Sequence, residues 1–156
     1  MSPRDDAKLR KRCRRLLGDA WGADVRVTRI DILKDWNRNL VARLHLDGGQ
    51  AGTVIAKLIL TQPACGFSDW AALCFLSELS ESSELSEASP RVAPRFIAGD
   101  VQEQLFVMED VAGTGFDVLL MDGDRAQVGA ALDRIGAATA RLHAATAGGD
   151  RERAYG

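Results

Sequence analysis

A chain of 156 residues fits one domain of ordinary size, and its 46% hydrophobic and 27% charged residues exclude wholesale disorder. A formal net charge of −2 argues against a general nucleic-acid binder. The charged start has no signal-peptide pattern and no apolar run reaches membrane-spanning length, so the expectation is a cytoplasmic protein without a membrane partner.

In chain order, Leu9, Cys13, Leu16 and Leu17 recur at helical spacing within residues 4–17, with Arg and Lys on the remaining face. Gly18 and Gly22 supply a stop. Such a helix either meets a membrane or partner through its basic face or lies on a sheet as a surface helix. Three strands are predicted next: 25–33 (VRVTRIDIL), 40–46 (LVARLHL, with Leu40, Ala42, Leu44 and Leu46 on one face) and 53–60 (TVIAKLIL). The turn signal Asp47-Gly48-Gly49-Gln50-Ala51-Gly52 joins the last two into a meander. Ser68 is a candidate cap for a helix running through Trp70, Leu73, Cys74 and Leu76 to about Leu79. The repetitive polar stretch 77–87 (SELSESSELSE) reads as a loop. Pro90 and Pro94 bracket an extended segment, after which 95–98 and 104–109 form a hairpin around Gly99-Asp100. Gly113 and Gly115 mark a connector. A long helix covers about 124–147, with Val128, Leu132, Ile135 and Leu142 as its apolar stripe, and the tail from Gly148 frays.

These elements predict an α+β fold, a five-stranded antiparallel sheet with one inserted helix. The chain divides into an N-terminal helical segment (1–24), a sheet-bearing lobe (25–112), and a connector with its long helix (113–156). Charge is uneven: residues 1–19 carry seven Lys or Arg against three Asp, and 68–90 carry five acids and no base. The two patches either pair internally or are two solvated faces. Cys13, Cys65 and Cys74 are odd in number and lack Cys-x-x-Cys spacing, which favours reduced thiols over disulfides or zinc.

Lys57 is the residue that most demands a chemical explanation. Every neighbour in Val54-Ile55-Ala56-Lys57-Leu58-Ile59-Leu60 prefers burial, and an unpaired buried ammonium is costly. The amine either snorkels to water at a sheet edge or meets negative charge, such as a bound phosphate with a nearby carboxylate. Val54-Ile55-Ala56-Lys57 matches the kinase third-strand pattern Val-Ala-Ile-Lys, whose lysine pairs with nucleotide phosphates. Two strands precede it and a helix follows, as that pattern requires. Later, the apolar strand Leu105-Phe106-Val107-Met108 emerges into Glu109-Asp110-Val111, a connector whose backbone groups suit an adenine edge.

With Val107-Met108-Glu109-Asp110 and Ile135-Gly136-Ala137-Ala138-Thr139-Ala140-Arg141-Leu142-His143-Ala144 added, the chain resembles the amino-terminal lobe of the aminoglycoside phosphotransferase and choline-kinase-like family, over roughly residues 25–147. The resemblance implies a kinase-like small lobe followed by the first helix of a large lobe. It implies ATP as ligand, with Mg²⁺, and a small-molecule hydroxyl as phosphate acceptor. Lys57 would contact the phosphates, and Met108 would back the adenine pocket. The Glu109 carbonyl and the Val111 N–H would face the adenine edge. Residues 35–39 (DWNRN), including Asn37 and Asn39, would cover the phosphates, although this loop lacks the glycines of the protein-kinase form. For the carboxylate partner of Lys57, Asp69 in Ser68-Asp69-Trp70-Ala71-Ala72-Leu73-Cys74-Phe75-Leu76 stands where the family usually has Glu. Glu78 is its rival, but nine residues is two and a half helical turns, so the two carboxylates point to opposite faces. Asp69 also reads as a first-turn acid that favours the helix dipole.

The family's catalytic His-Gly-Asp segment and its metal-binding Asp are absent from these residues. His45-Leu46-Asp47 precedes Lys57, so its order is wrong, and His143 has no Asp two residues later. Gly48-Gly49-Gln50-Ala51-Gly52 lacks Gly-Lys-Ser/Thr and is no P-loop. The expectation is the nucleotide-binding part of an ATP-dependent phosphotransferase, inactive alone, with no catalytic or metal-ligating residue of its own. Its last helix carries an apolar stripe suited to a core not encoded here, and so invites self-association or a partner through 124–147. The alternatives are a non-catalytic binding or regulatory module and a gene remnant using the same lobe.

Overall fold

A computed structural model describes residues 3–36, 38–60, 67–81 and 93–146. The predicted segments 82–87 and 148–156, together with Cys65 and Pro90, lie outside the described residues. The chain divides into two compact units, Met1–Glu78 with Ala93–Asp110, and Leu79–Val92 with Val111–Gly156.

The first unit is built on a five-stranded antiparallel sheet. Its strands are β1 (Arg26–Trp36), β2 (Asn39–Asp47), β3 (Thr53–Ile59), β4 (Phe96–Asp100) and β5 (Leu105–Glu109). The spatial order is β1-β2-β3-β5-β4, so β5 inserts between β3 and the strand that precedes it in sequence. The ladder between β1 and β2 is irregular between Val27 and Arg29 and again between Ile32 and Lys34.

Alternation sends two sets of side chains to opposite faces. On one face, Val27, Leu40, Ala42, Leu44, Val54, Ala56, Leu105 and Val107 meet helix α1 (Pro3–Trp21). That helix contributes the stripe expected of it, Leu9, Cys13, Leu16 and Leu17, all buried. It runs through Gly18 and ends at Gly22, whose φ of 62° closes the helix while its N–H donates to the Gly18 carbonyl at 2.9 Å. Of the two readings of this helix, the surface helix laid on a sheet is the observed one. Four arginines of its basic face are paired within the same unit. Arg15 Nη2 reaches Asp100 at 2.6 Å, Arg12 Nε reaches Glu103 at 2.5 Å, and Arg14 and Arg10 reach Asp24 and Asp6. The acidic side chains within 68–90 lie outside the described residues.

On the opposite face, helix α2 (Phe67–Glu81) sets Leu73 and Trp70 against Phe106, Ile59, Phe96 and Met108. The helix begins one residue before the expected Ser68 cap and continues through the Ser77–Glu81 portion of the stretch read as loop. The hairpin of β4 and β5 turns at Val101–Gln104 rather than at Gly99-Asp100. Gly99 lies within β4, where an added Cβ would overlap the Trp70 ring, and Gln104, at a φ of 54°, takes the left-handed position beyond it.

The second unit contains α3 (Phe116–Asp122) and α4 (Arg125–Thr146). Helix α3 falls where the glycines predicted only a connector. Asp124 caps α4. Its Oδ1 accepts from the Gln127 N–H at 2.8 Å, and Gln127 Oε1 accepts from the Asp124 N–H at 3.2 Å, a reciprocal capping box. On α4, Leu132 and Ile135 remain 52% and 47% exposed. Among the described residues no helix is long and apolar enough to cross a membrane.

Candidate functional site

The sheet register defines the surroundings of Lys57. Its cross-strand partners are Val41 on β2 and Phe106 on β5, so all three side chains share the face that carries α2. Phe106 is buried beneath that helix. The Lys57 Nζ lies 5.9 Å from the Phe106 ring centroid, at the outer limit of a cation–π contact. The side chain is partly buried, with its stem among apolar neighbours. Asp69 lies in the first turn of α2 and Glu78 in its last part, and the side chains of both lie outside the described residues, as does Asn37.

One row further along the same face, Ile55 stands between Arg43 on β2 and Met108 on β5. Ile55 is buried, and Met108 packs against the Leu73–Phe106 cluster. Lys57, Ile55 and Met108 therefore lie on one face of the sheet, with Lys57 in the row nearer the β1–β2 turn and Met108 in the row nearer the exit of β5. At that exit, Glu109 donates its N–H to the Arg95 carbonyl at 2.9 Å and accepts the Arg95 N–H on Oε2 at 3.1 Å. Val111, the first residue of the second unit, is 59% exposed.

The segment expected to cover phosphates is shorter than the sequence suggests. β1 runs to Trp36 and β2 starts at Asn39, with these two paired, so only residues 37–38 lie between the strands. A hollow of about 640 Å³ is lined there by Lys34, Asp35, Trp36, Arg38 and Asn39. Lys34 Nζ sits 3.5 Å from the Trp36 ring centroid, and Trp36 is 66% exposed. Lys57 is not part of this lining. A second cavity, about 400 Å³, lies on the opposite face, where Leu9, Leu40 and Leu58 form its floor. Leu58 and Lys57 are adjacent in a strand and point to opposite sides, so that cavity is separate from the Lys57 surface.

Sequence reasoning missed the charged network beside this surface. Arg43 grips Asp110 with two bonds, Nε to Oδ2 at 2.7 Å and Nη2 to Oδ1 at 3.1 Å. Burial pushes the Asp110 carboxyl up, but hydrogen bonds from Arg43 and Thr53, with the Arg43 charge, outweigh it and hold the group below the ordinary carboxylate range. His45 Nε2 lies 2.7 Å from Asp31 Oδ2, and Arg29 Nη2 lies 2.9 Å from the same oxygen. The His45 hydrogen bond, then Arg29, lowers the Asp31 carboxyl. His45 thus belongs to a hydrogen-bonded cluster with Asp31 and Arg29 on β1 and β2. The 67 residues separating Arg43 from Asp110 leave no local pattern that could have revealed that pair.

No protein-family model and no curated protein matches this chain.

Proposed function

We propose that this chain supplies the nucleotide-binding lobe of an ATP-dependent phosphotransferase acting on a small-molecule hydroxyl, in the manner of the aminoglycoside phosphotransferase and choline-kinase-like family. The observation that carries the reading is the position of Lys57. It rises from the third strand on the face that bears α2, partly buried and 5.9 Å from the Phe106 ring, with an apolar surface of Ile55 and Met108 beside it. The reading is further supported by the order of elements, a helix after the third strand and β5 between β3 and β4, which suits a kinase-like small lobe.

In this reading ATP brings the transferable phosphoryl group, and the chain's own residues bind and orient. Lys57 supplies a fixed positive charge for phosphate oxygens. Ile55 and Met108 supply an apolar bed for the base, and the main chain at Glu109 supplies a polar group for its edge. These residues contain no His-Gly-Asp segment, so nucleotide binding without turnover is expected of them alone.

The test is calorimetric titration with MgATP. The wild type binds, and Lys57→Ala binds about 10- to 100-fold more weakly, the equivalent of the roughly 1.5–3 kcal/mol of a charge-assisted hydrogen bond. Equal heats for the two proteins would remove Lys57 from any nucleotide site. A second reading, a non-catalytic module that associates through α4, is favoured by the half-exposed Leu132 and Ile135.

A further inference from the structure

Helix α1 covers the sheet with Leu9, Cys13, Leu16 and Leu17, but that stripe stops short of the helix start. One turn before Leu9, the positions that would continue it are Asp5 and Asp6, both acids. The sheet beneath stays apolar. Leu40 and Leu58 are direct partners on β2 and β3, and Leu60, just beyond β3, is 49% exposed. The charged helix end does not close on the apolar sheet end, and a cavity of about 400 Å³ remains, lined by both.

Its rim carries both signs. Asp5, Lys8 and Arg12 share the face of α1 that bears Leu9, spaced three and four residues apart. Asp35 pairs with Leu40 at the end of the same sheet row, so it rises on the same side as the apolar floor. Arg12 Nε lies 2.5 Å from Glu103 Oε2, and a guanidinium has five donors, so that ion pair steadies Arg12 without exhausting it. A favourable helix dipole accounts for an acid at Asp5, but not for one at Asp35 on the facing strand.

We propose that this cavity binds a free apolar α-amino acid. Its side chain would lie on Leu9, Leu40, Leu58 and Leu60, its carboxylate would meet Lys8 and Arg12, and its ammonium would meet Asp5 and Asp35. An apolar floor of this size with a few convergent polar groups is the usual form of a small-molecule site. Asp5 and Lys8, three residues apart on a helix, are surface neighbours, as the two charges of an α-amino acid are neighbours. An amphiphile with one charge of either sign is repelled by half of this rim, whereas a zwitterion finds an opposite charge for each of its own. Every lining residue belongs to the first compact unit. The site lies on the face opposite Lys57 and stands or falls apart from nucleotide binding.

The experiment titrates the full 156-residue chain, followed by amide NMR, with L-phenylalanine and L-leucine. Matched probes keep each apolar body and lack the ammonium (phenylpropionate, isocaproate) or the carboxylate (phenylethylamine, isoamylamine). At least one amino acid shifts the amides of Leu9, Leu40 and Leu58 saturably, and its two matched probes bind about tenfold more weakly. Lys8→Gln and Asp35→Asn, both at exposed positions where the fold tolerates change, each weaken that amino acid about tenfold. A singly charged probe that binds as tightly as its amino acid overturns the assignment to a zwitterion. An affinity that either variant leaves unchanged does the same. No saturable shift at these amides with either amino acid overturns the site itself.

Discussion

The indole of Trp70 rests on Gly99 and is tilted against Phe96 at 5.6 Å and Phe106 at 5.8 Å between ring centroids. Three aromatic rings thus fasten α2 to the sheet, and the missing side chain of Gly99 makes room for them. Gly99→Ala forces a methyl group into the indole and costs about 1–3 kcal/mol. The expected result is a lower denaturation midpoint at an unchanged m-value. Cys13 makes a different prediction. Wholly enclosed under α1, its thiol is pushed by burial up to about 12 from an ordinary 9.0. A folded-state value raised this way contributes stability that is complete below pH 9 and is lost as pH climbs from there through about 12. Cys13→Ala should flatten the alkaline decline in unfolding midpoint. Because the thiolate is the reactive form, Cys13 should also resist a thiol reagent until the protein is denatured. Rapid labelling of Cys13 under native conditions would show the burial to be wrong.

At the scale of elements, α1 is held by two kinds of interaction of unequal weight. Leu17, wholly buried, anchors the apolar stripe, and Leu17→Ala should cost about 2–5 kcal/mol in chemical denaturation. Arg15, 53% exposed, joins Asp100 and Glu103, and Arg15→Ala should cost no more than about 1 kcal/mol because water screens such pairs. A larger loss for Arg15 than for Leu17 would mean that charge, not burial, holds the helix. The apolar stripe of α1 and the alternation in β2 were legible in sequence because each repeats at the period of its element, and β3 was legible as an almost unbroken apolar run. The turn between β4 and β5 was not. Gly99 resembles a turn residue in a string of letters, yet it serves a ring that arrives from α2, and Gln104 gives no local hint of a left-handed backbone. Helix α3 was hidden similarly, since Gly113, Gly115 and Gly123 around seven residues look like a connector. For the candidate site, the strand bearing Lys57 could be read locally. The Arg43–Asp110 fork could not, because only tertiary folding brings its halves together.

Across the whole molecule, the large hydrophobic side chains left exposed on the described part of the long helix are Leu132 and Ile135, three residues apart on one side of α4. If that side meets a second copy, sedimentation should show mass rising with concentration, and Leu132→Glu with Ile135→Glu should abolish the rise. A constant monomeric mass at all concentrations would remove self-association. The two rims of the sheet behave otherwise. The β1 ladder is regular for at most four consecutive residues, Arg29–Ile32, before an irregularity interrupts it, and β4 is five residues long. A zipper of stacked identical segments needs about six or seven residues in unbroken register. Neither rim presents such a template, and two of the four regular residues on β1 carry charge. Concentrated solutions of this chain should therefore stay free of fibrils that grow by strand addition.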